Sequence, residues 1–148
     1  MKSRLKIYPL LPKAYEILIE MEKFLATSDL DSKLKELMKI RASQINKCAY
    51  CLEMHVEDAL KIGEDAKRIY ALPAWRESPY FSEKEKAVLE FTEQVTELSK
   101  QGVSDDCYNN LKSFFSDKQI SEIIILLGQI NFWNRINVST KQVYKSNS

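Results

Sequence analysis

Apolar residues recur every three or four positions along almost the whole chain, and this period restricts the fold to helices. Only three glycines and four prolines are available for tight turns among 148 residues. No stretch of useful length alternates apolar and polar residues as a half-buried strand would. A chain of this length can bury a core of its own. The sequence therefore predicts an all-α bundle of six to seven helices in one domain, residues 1–148.

Caps and breakers set the limits of these helices. Ser82-x-x-Glu85 and Ser116-x-x-Gln119 are capping boxes that open helices, and Gly63 and Gly102 are typical of helix C-termini. The ends, residues 1–10 and 141–148, are expected to be loosely held. Residues 72–81, which contain Trp75, form the one clear non-helical connection. The predicted helices cover residues 12–26, 31–43, 48–62, 64–71, 82–100, 105–115 and 116–138.

The segment Cys48-Ala49-Tyr50-Cys51-Leu52-Glu53-Met54-His55 brings two of the three cysteines together with the only histidine. On a helix, positions 48, 51 and 55 fall within about 60° of one another, so the sulfurs and the ring share a face. Residues 44–47 read as a break, with Asn46 as the cap of the following helix. The cysteines would then lie in a first turn, where free backbone N–H groups and Lys47 lower the pKa of a thiol. A thiolate attacks peroxides and disulfides.

Composition excludes several classes of partner. The 22 Lys and Arg residues balance 21 Asp and Glu, so there is no basic field for nucleic acid. The longest apolar cluster, Ile123–Leu127, is far shorter than a membrane span. An odd number of cysteines, without a signal-like N-terminus, argues against a secreted disulfide scaffold. We therefore expect a soluble, cytoplasmic protein that binds neither nucleic acid nor membrane.

Several kinds of site use paired cysteines, and the residues alone leave some of them open. A thioredoxin-type motif needs a βαβ context, and haem attachment needs histidine where Leu52 stands. A zinc site built from Cys48, Cys51 and His55, with Cys107 or a carboxylate, stays possible, although a second short-spaced ligand pair is missing. An inert pair of buried cysteines also stays possible. Cys107 itself is interpreted as a half-buried residue without a chemical role.

The stretch Arg41-Ala42-Ser43-Gln44-Ile45-Asn46-Lys47-Cys48-Ala49-Tyr50-Cys51-Leu52-Glu53-Met54-His55 resembles the core motif of the AhpD-like alkylhydroperoxidases, in the carboxymuconolactone decarboxylase superfamily. The resemblance extends through residues 75–78, 81–87 and 129–136. It includes a glutamate twelve residues before the first cysteine, here Glu36. Members of this family assemble into dimers, trimers and hexamers. That agrees with the apolar 123–127 cluster, part of which we expect another subunit of a homo-oligomer to cover.

The resemblance implies a mechanism and its residues. Cys51 corresponds to the peroxidatic thiol, Cys48 to the thiol that closes a disulfide with it, and His55 and Glu36 to a proton relay. The implied substrate is an organic hydroperoxide or a partner's disulfide, the implied reductant is a dithiol protein, and no metal or organic cofactor is implied. Along one straight helix Glu36 would lie about 18 Å from Cys48, so the relay requires the chain to fold back near residues 44–47.

One position departs from the family pattern. The better-studied branch has a second histidine just before the second cysteine, whereas this chain has Tyr50, a much weaker base near neutral pH. The first alternative to a peroxidase is a redox-sensing or metal-binding helical module that uses Cys48, Cys51 and His55 without turnover. The second is a non-redox enzyme like the decarboxylases proper, which do not depend on a Cys-x-x-Cys pair.

Overall fold

The computed structural model describes residues 3–145, and within this range the regular secondary structure is entirely helical. A 3₁₀ turn, Leu72–Ala74, follows the fourth helix. The all-α fold class is confirmed, and within the described range no helix is long and apolar enough to traverse a bilayer. The helices are α1 (Pro12–Ala26), α2 (Ser32–Ile45), α3 (Ala49–Lys61), α4 (Ala66–Ala71), α5 (Glu83–Thr96), α6 (Leu98–Gln101), α7 (Asp105–Lys112) and α8 (Asp117–Thr140).

Helix α2 is the central element because it packs on α3, α5 and α8 together. Its neighbouring residues Leu37 and Met38 are both fully buried, in two different clusters. Met38 belongs to the larger cluster, which also contains Cys48 and Cys51. Leu37 belongs to a smaller cluster beside the 3₁₀ turn. The thiol pair is therefore built into the main core instead of standing on a surface loop.

The capping boxes at Ser82 and Ser116 are both formed, and they open α5 and α8 as predicted. The helix predicted over residues 82–100 is instead two helices, because Glu97 leaves the helical conformation at φ −99° and ψ 35°. This break accounts for eight helices within residues 3–145 where the sequence predicted six or seven. Helix α8 runs to Thr140, and Lys141 ends it in the left-handed conformation, at φ 53°.

The chain folds back between α2 and α3 through a Schellman turn. Lys47 adopts φ 54°, its N–H donates to Gln44 O (3.2 Å), and the next N–H, of Cys48, donates to Ser43 O (3.0 Å). Asn46 ends α2, so the prediction that it caps α3 was wrong. The N-cap of α3 is Cys48, because the tight turn leaves no room for a separate capping residue.

Glu93 on α5 joins the 72–81 connection to α2. Its Oε1 accepts from the Trp75 indole (2.8 Å) and from Arg41 Nε (2.9 Å), and its Oε2 lies 2.7 Å from Arg76 Nη1. Burial on its own raises the pKa of Glu93. The hydrogen bonds from Trp75 and the two arginines outweigh burial and leave the pKa below its usual value. Trp75 is thus a buried packing residue that anchors the connection.

Helix α1 lies at the periphery, and Leu25 is its only buried residue. Two hydrogen bonds tie it to α8, from Gln129 Nε2 to Leu18 O (3.0 Å) and from Trp133 Nε1 to Glu22 Oε1 (2.8 Å). Thus α1 forms an outer wall over α8.

The segment before α1 is hydrogen-bonded to the C-terminal end of α8. The Arg4 N–H donates to Thr140 O at 2.8 Å. How loosely the ends, 1–10 and 141–148, are held stays a prediction, and residues 1–2 and 146–148 lie outside the described range.

Candidate functional site

The two cysteines of the motif are joined by a disulfide, with their Cα atoms 5.4 Å apart. Cys48 is the N-cap of α3, and its Sγ accepts the backbone N–H of Cys51 at 3.4 Å. Cys51 therefore lies in the first turn, where the backbone N–H groups point out of the helix. Relative exposures of 1% for Cys48 and 0% for Cys51 place both sulfurs inside the core.

Asparagines of α8 hold the turn that carries Cys48. Asn46 Nδ2 donates to Asn131 Oδ1 and Asn134 Oδ1, both at 2.9 Å, and Asn134 Nδ2 donates to Ser43 Oγ at 3.0 Å. Asn134 is only 1% exposed, so its loss would leave buried polar groups unpaired. The turn is thus fixed by the last helix as well as by its own backbone.

Glu36 and His55 form a hydrogen-bonded pair across the α2–α3 turn. Glu36 Oε2 lies 2.8 Å from His55 Nδ1, and Glu36 Oε1 lies 2.8 Å from Lys39 Nζ. Because the carboxylate accepts at Nδ1, the neutral ring carries its hydrogen there and leaves Nε2 as the basic nitrogen. The side chain of Glu36 is 12% exposed. The structure therefore places Glu36 beside His55 and largely away from solvent, as the proton-relay interpretation requires.

Glu36 is held in its ionised form. Burial alone raises its pKa, but the hydrogen bond from His55 and the charge of Lys39 outweigh burial and leave its pKa below the ordinary value. An ionised carboxylate at Nδ1 stabilises a positive charge on the imidazole ring. The pair can therefore accept a proton at Nε2 and later return it.

His55 stands in the wall of a cavity of about 630 Å³ between α1, α3, α8 and residues 5–9. Tyr15 meets the rings of Tyr8 and Trp133 edge to face, with centroids 5.2 and 5.3 Å apart respectively. All three rings line the cavity, which has the volume of a site for a drug-sized molecule. Further lining residues are Leu5, Ile7, Ile19, Glu22, Lys39, Tyr50, Met54, Asp58, Ile136 and Asn137.

One residue of the cavity wall is hydrogen-bonded to the disulfide. Asn137 lines it, and the Nδ2 of Asn137 donates to Cys51 Sγ at 3.4 Å. The sulfurs themselves are buried behind this wall. Reaching Cys51 from the cavity thus requires a small movement of the side chains in the wall.

Tyr50 occupies the position of the family's second histidine. Burial raises the pKa of this phenol, and the neighbouring Tyr15 raises it further. The ring stacks edge to face on Tyr144 with centroids 5.4 Å apart, and the Tyr144 hydroxyl donates to Glu57 Oε2 at 2.8 Å. Tyr50 is therefore a neutral, packed side chain near pH 7 and cannot serve as a general base there.

Metal-ligand spacing within residues 3–145 occurs at Glu36, His55 and Asp58, whose ligand atoms lie within 4.8 Å of one another. The Lys39 ammonium, at 2.8 Å from Glu36, already supplies a positive charge there. The group contains no cysteine, unlike the zinc set considered from the sequence. Cys107 is a buried free thiol, and burial, followed by the charge of Glu90, raises its pKa to about 11.

Asn137 was absent from the candidates that the sequence suggested. The sequence does carry a signal for it, because Asn131, Asn134 and Asn137 follow one another at intervals of three near the C-terminal end of α8. Polar residues that repeat with the helical period share a face, and on a buried face they need partners. The local pattern does not reveal that those partners are the α2–α3 turn and Cys51.

A helical domain with a buried Cys-x-x-Cys pair beside a glutamate–histidine pair defines an AhpD-like protein. The chain belongs to the Carboxymuconolactone decarboxylase family, whose pattern matches residues 9–94.

The chain is similar to several proteins of known sequence or structure. The uncharacterized protein YdfG of Bacillus subtilis (strain 168) is 38% identical over 139 residues, which cover 94% of this chain and 95% of YdfG. The crystal structure of ATU0492 from Agrobacterium tumefaciens superposes with a TM-score of 0.95 at 34% identity, covering 99% and 100% of the two chains. ATU0492 is of unknown function, with a suggested AhpD role in antioxidant defence. The debrominase Bmp8 shares the fold at a TM-score of 0.82 and 19% identity, covering 91% of this chain and 73% of Bmp8.

Proposed function

We propose that this protein is a dithiol peroxidase that reduces organic hydroperoxides through Cys51 and Cys48. The observation that carries the proposal is the Glu36–His55 pair, largely shielded from solvent, with Nδ1 and Oε2 2.8 Å apart. His55 lies one helical turn after Cys51 on the same helix. A thiol pair needs no such neighbour to form a structural disulfide. A peroxidatic thiol does, because it must lose a proton and the leaving oxygen must gain one.

In the first step, His55 Nε2 takes the proton of the Cys51 thiol while Glu36 stabilises the imidazolium. The Cys51 thiolate then attacks one oxygen of the hydroperoxide, so that an S–O bond forms and the O–O bond breaks. The imidazolium returns its proton to the leaving alkoxide, which departs as an alcohol. Cys51 becomes a sulfenic acid, and the peroxide is reduced by two electrons.

In the second step, the Cys48 thiol attacks the Cys51 sulfenic sulfur, and water leaves as the disulfide forms. In the disulfide form the two Cα atoms lie 5.4 Å apart, within the usual range for a disulfide. A partner dithiol then restores both thiols by exchange and becomes a disulfide itself. We propose a dithiol protein for this role.

The cavity supports an organic substrate. Four aromatic rings line its wall, those of Tyr8, Tyr15, Tyr50 and Trp133. Hydrogen peroxide would leave most of a space of about 630 Å³ filled only by water, whereas a hydroperoxide with an apolar or aromatic body would displace that water. Binding energy from such a body can be used to hold the peroxide group in place.

The test counts equivalents of cumene hydroperoxide consumed by the reduced protein in excess dithiothreitol. The wild type should consume many equivalents, and Cys51→Ser none. Cys48→Ser in the absence of dithiothreitol should consume one equivalent and hold a sulfenic acid on Cys51 that dimedone traps. Cys107→Ser is the matched control and should turn over like the wild type, because Cys107 is a separate buried thiol.

A redox-sensing or metal-binding module is the competing function. A sensor keeps its disulfide closed until a specific partner reduces it, so the wild-type protein would consume a single equivalent and then stop although dithiothreitol remains. A metal-binding role further predicts stoichiometric metal in the reduced protein, lost on His55→Ala. Either pattern, without repeated turnover, would refute the peroxidase proposal.

We also propose that the protein is a homo-oligomer. Ile123, Leu126 and Leu127 are buried within the subunit, but Ile124 and Ile125 on the same helix are 43% and 42% exposed. A second subunit would cover that exposed apolar surface. Sedimentation velocity should therefore show a species larger than 17.2 kDa, and Ile125→Glu should reduce its size.

A further inference from the structure

The two sulfurs of the pair have different hydrogen-bond donors. Cys48 Sγ, at the N-cap, accepts a backbone N–H from the first turn of α3 at 3.4 Å. Cys51 Sγ accepts the side-chain amide of Asn137 on α8, also at 3.4 Å. Across residues 3–145 this is the one side-chain hydrogen bond to that sulfur.

The N-cap position by itself favours the wrong thiol for the proposed mechanism. The N-terminus of a helix stabilises a negative charge, and a thiolate at the N-cap receives the end of the helix dipole and a backbone N–H. Lys47, directly before Cys48, adds a positive charge nearby. On these grounds Cys48 would be the more acidic thiol and would attack first. An opposing interaction is needed if Cys51 is the attacking thiol.

We infer that Asn137 is a catalytic residue whose amide donates to the Cys51 thiolate and so makes Cys51 the attacking sulfur. This inference rests on the proposed function for the identity of the reaction. An N–H bond to a disulfide sulfur is weak, whereas the same bond to a thiolate is charge-assisted. The hydrogen bond therefore strengthens when the disulfide is reduced and the sulfur gains charge.

The position of Asn137 is fixed from both sides. Its backbone carbonyl accepts the Gln142 N–H at 2.9 Å, which closes the end of α8. One turn earlier, Asn134 is held in the core by Ser43 and Asn46. Asn137 also lines the cavity, so the amide lies between the substrate space and Cys51 Sγ.

Charged and titratable groups from three helices, the α2–α3 turn and the segment before α1 share this region. In residues 3–145 none of their side chains is hydrogen-bonded to Cys51 Sγ, so their effect on it is through space. They are Lys6 and Tyr8 before α1, Tyr15 and Glu22 on α1, Glu36 and Lys39 on α2, Lys47 in the turn, and Tyr50, His55 and Asp58 on α3.

The experiment measures thiolate formation in single-thiol proteins. Cys48→Ser with Cys107→Ser leaves Cys51 alone, and Cys51→Ser with Cys107→Ser leaves Cys48 alone. Ultraviolet thiolate absorbance is followed against pH, below the range in which tyrosines ionise, and a cysteine-free variant is subtracted. The titration midpoint of each thiol is then compared with and without substitution of Asn137.

Asn137→Leu removes the donor, and Asn137→Asp places a negative charge at the same site with almost the same shape. Both should raise the midpoint of Cys51, by about one to two pH units for the leucine variant, with a larger rise for aspartate. The midpoint of Cys48 should move much less. The exposed Asn109→Asp on α7 is the matched control and should move neither midpoint. If Asn137→Leu fails to fold, the nearly isosteric aspartate variant decides.

An unchanged Cys51 midpoint in the folded variants, or an equal rise for Cys48, would overturn the inference. The titration uses no peroxide, so its result does not depend on whether the protein is a peroxidase. In the three-cysteine protein, the turnover of Asn137→Leu should approach the wild-type rate as pH rises past the midpoint. A rate that stays low at every pH would assign Asn137 a packing role and would likewise overturn the inference.

Discussion

Glu36→Gln removes the charge from the centre of the proposed relay and leaves the shape almost unchanged. The carboxylate accepts from His55 at 2.8 Å and faces Lys39 at 2.8 Å. Glutamine can still accept a hydrogen bond, but it cannot balance a positive charge on the ring. Turnover should therefore fall by about 10²–10⁴-fold, the contribution typical of a general acid–base group.

The same substitution has a calculable effect on stability. Glutamine offers one acceptor oxygen to the two donors, His55 and Lys39, so one charge-assisted hydrogen bond is lost and the other weakens, at a cost of about 1–3 kcal/mol. In a chain of this size each kcal/mol corresponds to about 2–4 °C in Tm, so the variant should melt several degrees lower and still be folded at the assay temperature. The free energy of unfolding of the reduced protein is measured from urea denaturation followed by circular dichroism.

Glu20→Gln is the matched control for Glu36→Gln. Glu20 also pairs with a lysine three residues on, Lys23, at 2.6 Å, but its side chain is 70% exposed and far from the thiols in the sequence. Turnover and Tm should both stay at the wild-type values, because exposed ion pairs contribute little. Unchanged kinetics in Glu36→Gln, in the presence of the expected loss of stability, would show that the pair is structural and would refute the relay.

Three further predictions concern other parts of the chain. Cys107 should stay free when the protein is oxidised. In the folded protein near pH 8 it should also react with alkylating reagents far more slowly than an ordinary thiol, because its pKa of about 11 leaves little thiolate. Peptide mapping checks both points. Asn134→Leu should lower the free energy of unfolding by about 2–4 kcal/mol, because it removes the hydrogen bonds that Asn134 makes with Ser43 and Asn46. Asn109→Leu, on the exposed face of α7, is the control and should change the free energy of unfolding little; both are measured by urea denaturation. The pKa of Glu93 is lower in the folded state than its unfolded value near 4.5. Its contribution to stability is therefore complete above pH 4.5 and is lost as pH falls from there through the folded pKa. Over that interval the urea midpoint should fall less steeply for Glu93→Gln than for the wild type.

Local sequence was sufficient for most helix limits and insufficient for the tertiary partners. Proline at the start of α1 and the serine caps of α5 and α8 are local signals, and the structure follows them. The interruption at Glu97 carries no glycine or proline, so no local pattern marks it. Such a break depends on how α5 packs against its neighbours, and a single sequence does not contain that information.

In the candidate site, too, most local features were predictable from the local sequence alone and the tertiary contacts were not. The family resemblance placed Glu36 in the relay, helix geometry then required a fold-back near residues 44–47, and the structure brings Glu36 to His55 there. The details of the turn were not predictable, because a left-handed lysine at position 47 is rare and glycine is the usual signal. Asn137 lies 86 residues after Cys51, so their contact exists only once α8 crosses the α2–α3 turn.

That separation has a consequence for the protein while it is being synthesised. All three cysteines leave the ribosome before any part of α8, whose asparagines hold the α2–α3 turn and reach Cys51. Until then the growing chain carries thiols without the asparagines that hold the turn and donate to Cys51. Cys107, which is free in the folded protein, can then pair with either of the other cysteines. The selectivity of the thiol pair is therefore acquired late, when the last helix docks, and a chain that stops short of α8 would carry unshielded cysteines prone to incorrect crosslinks.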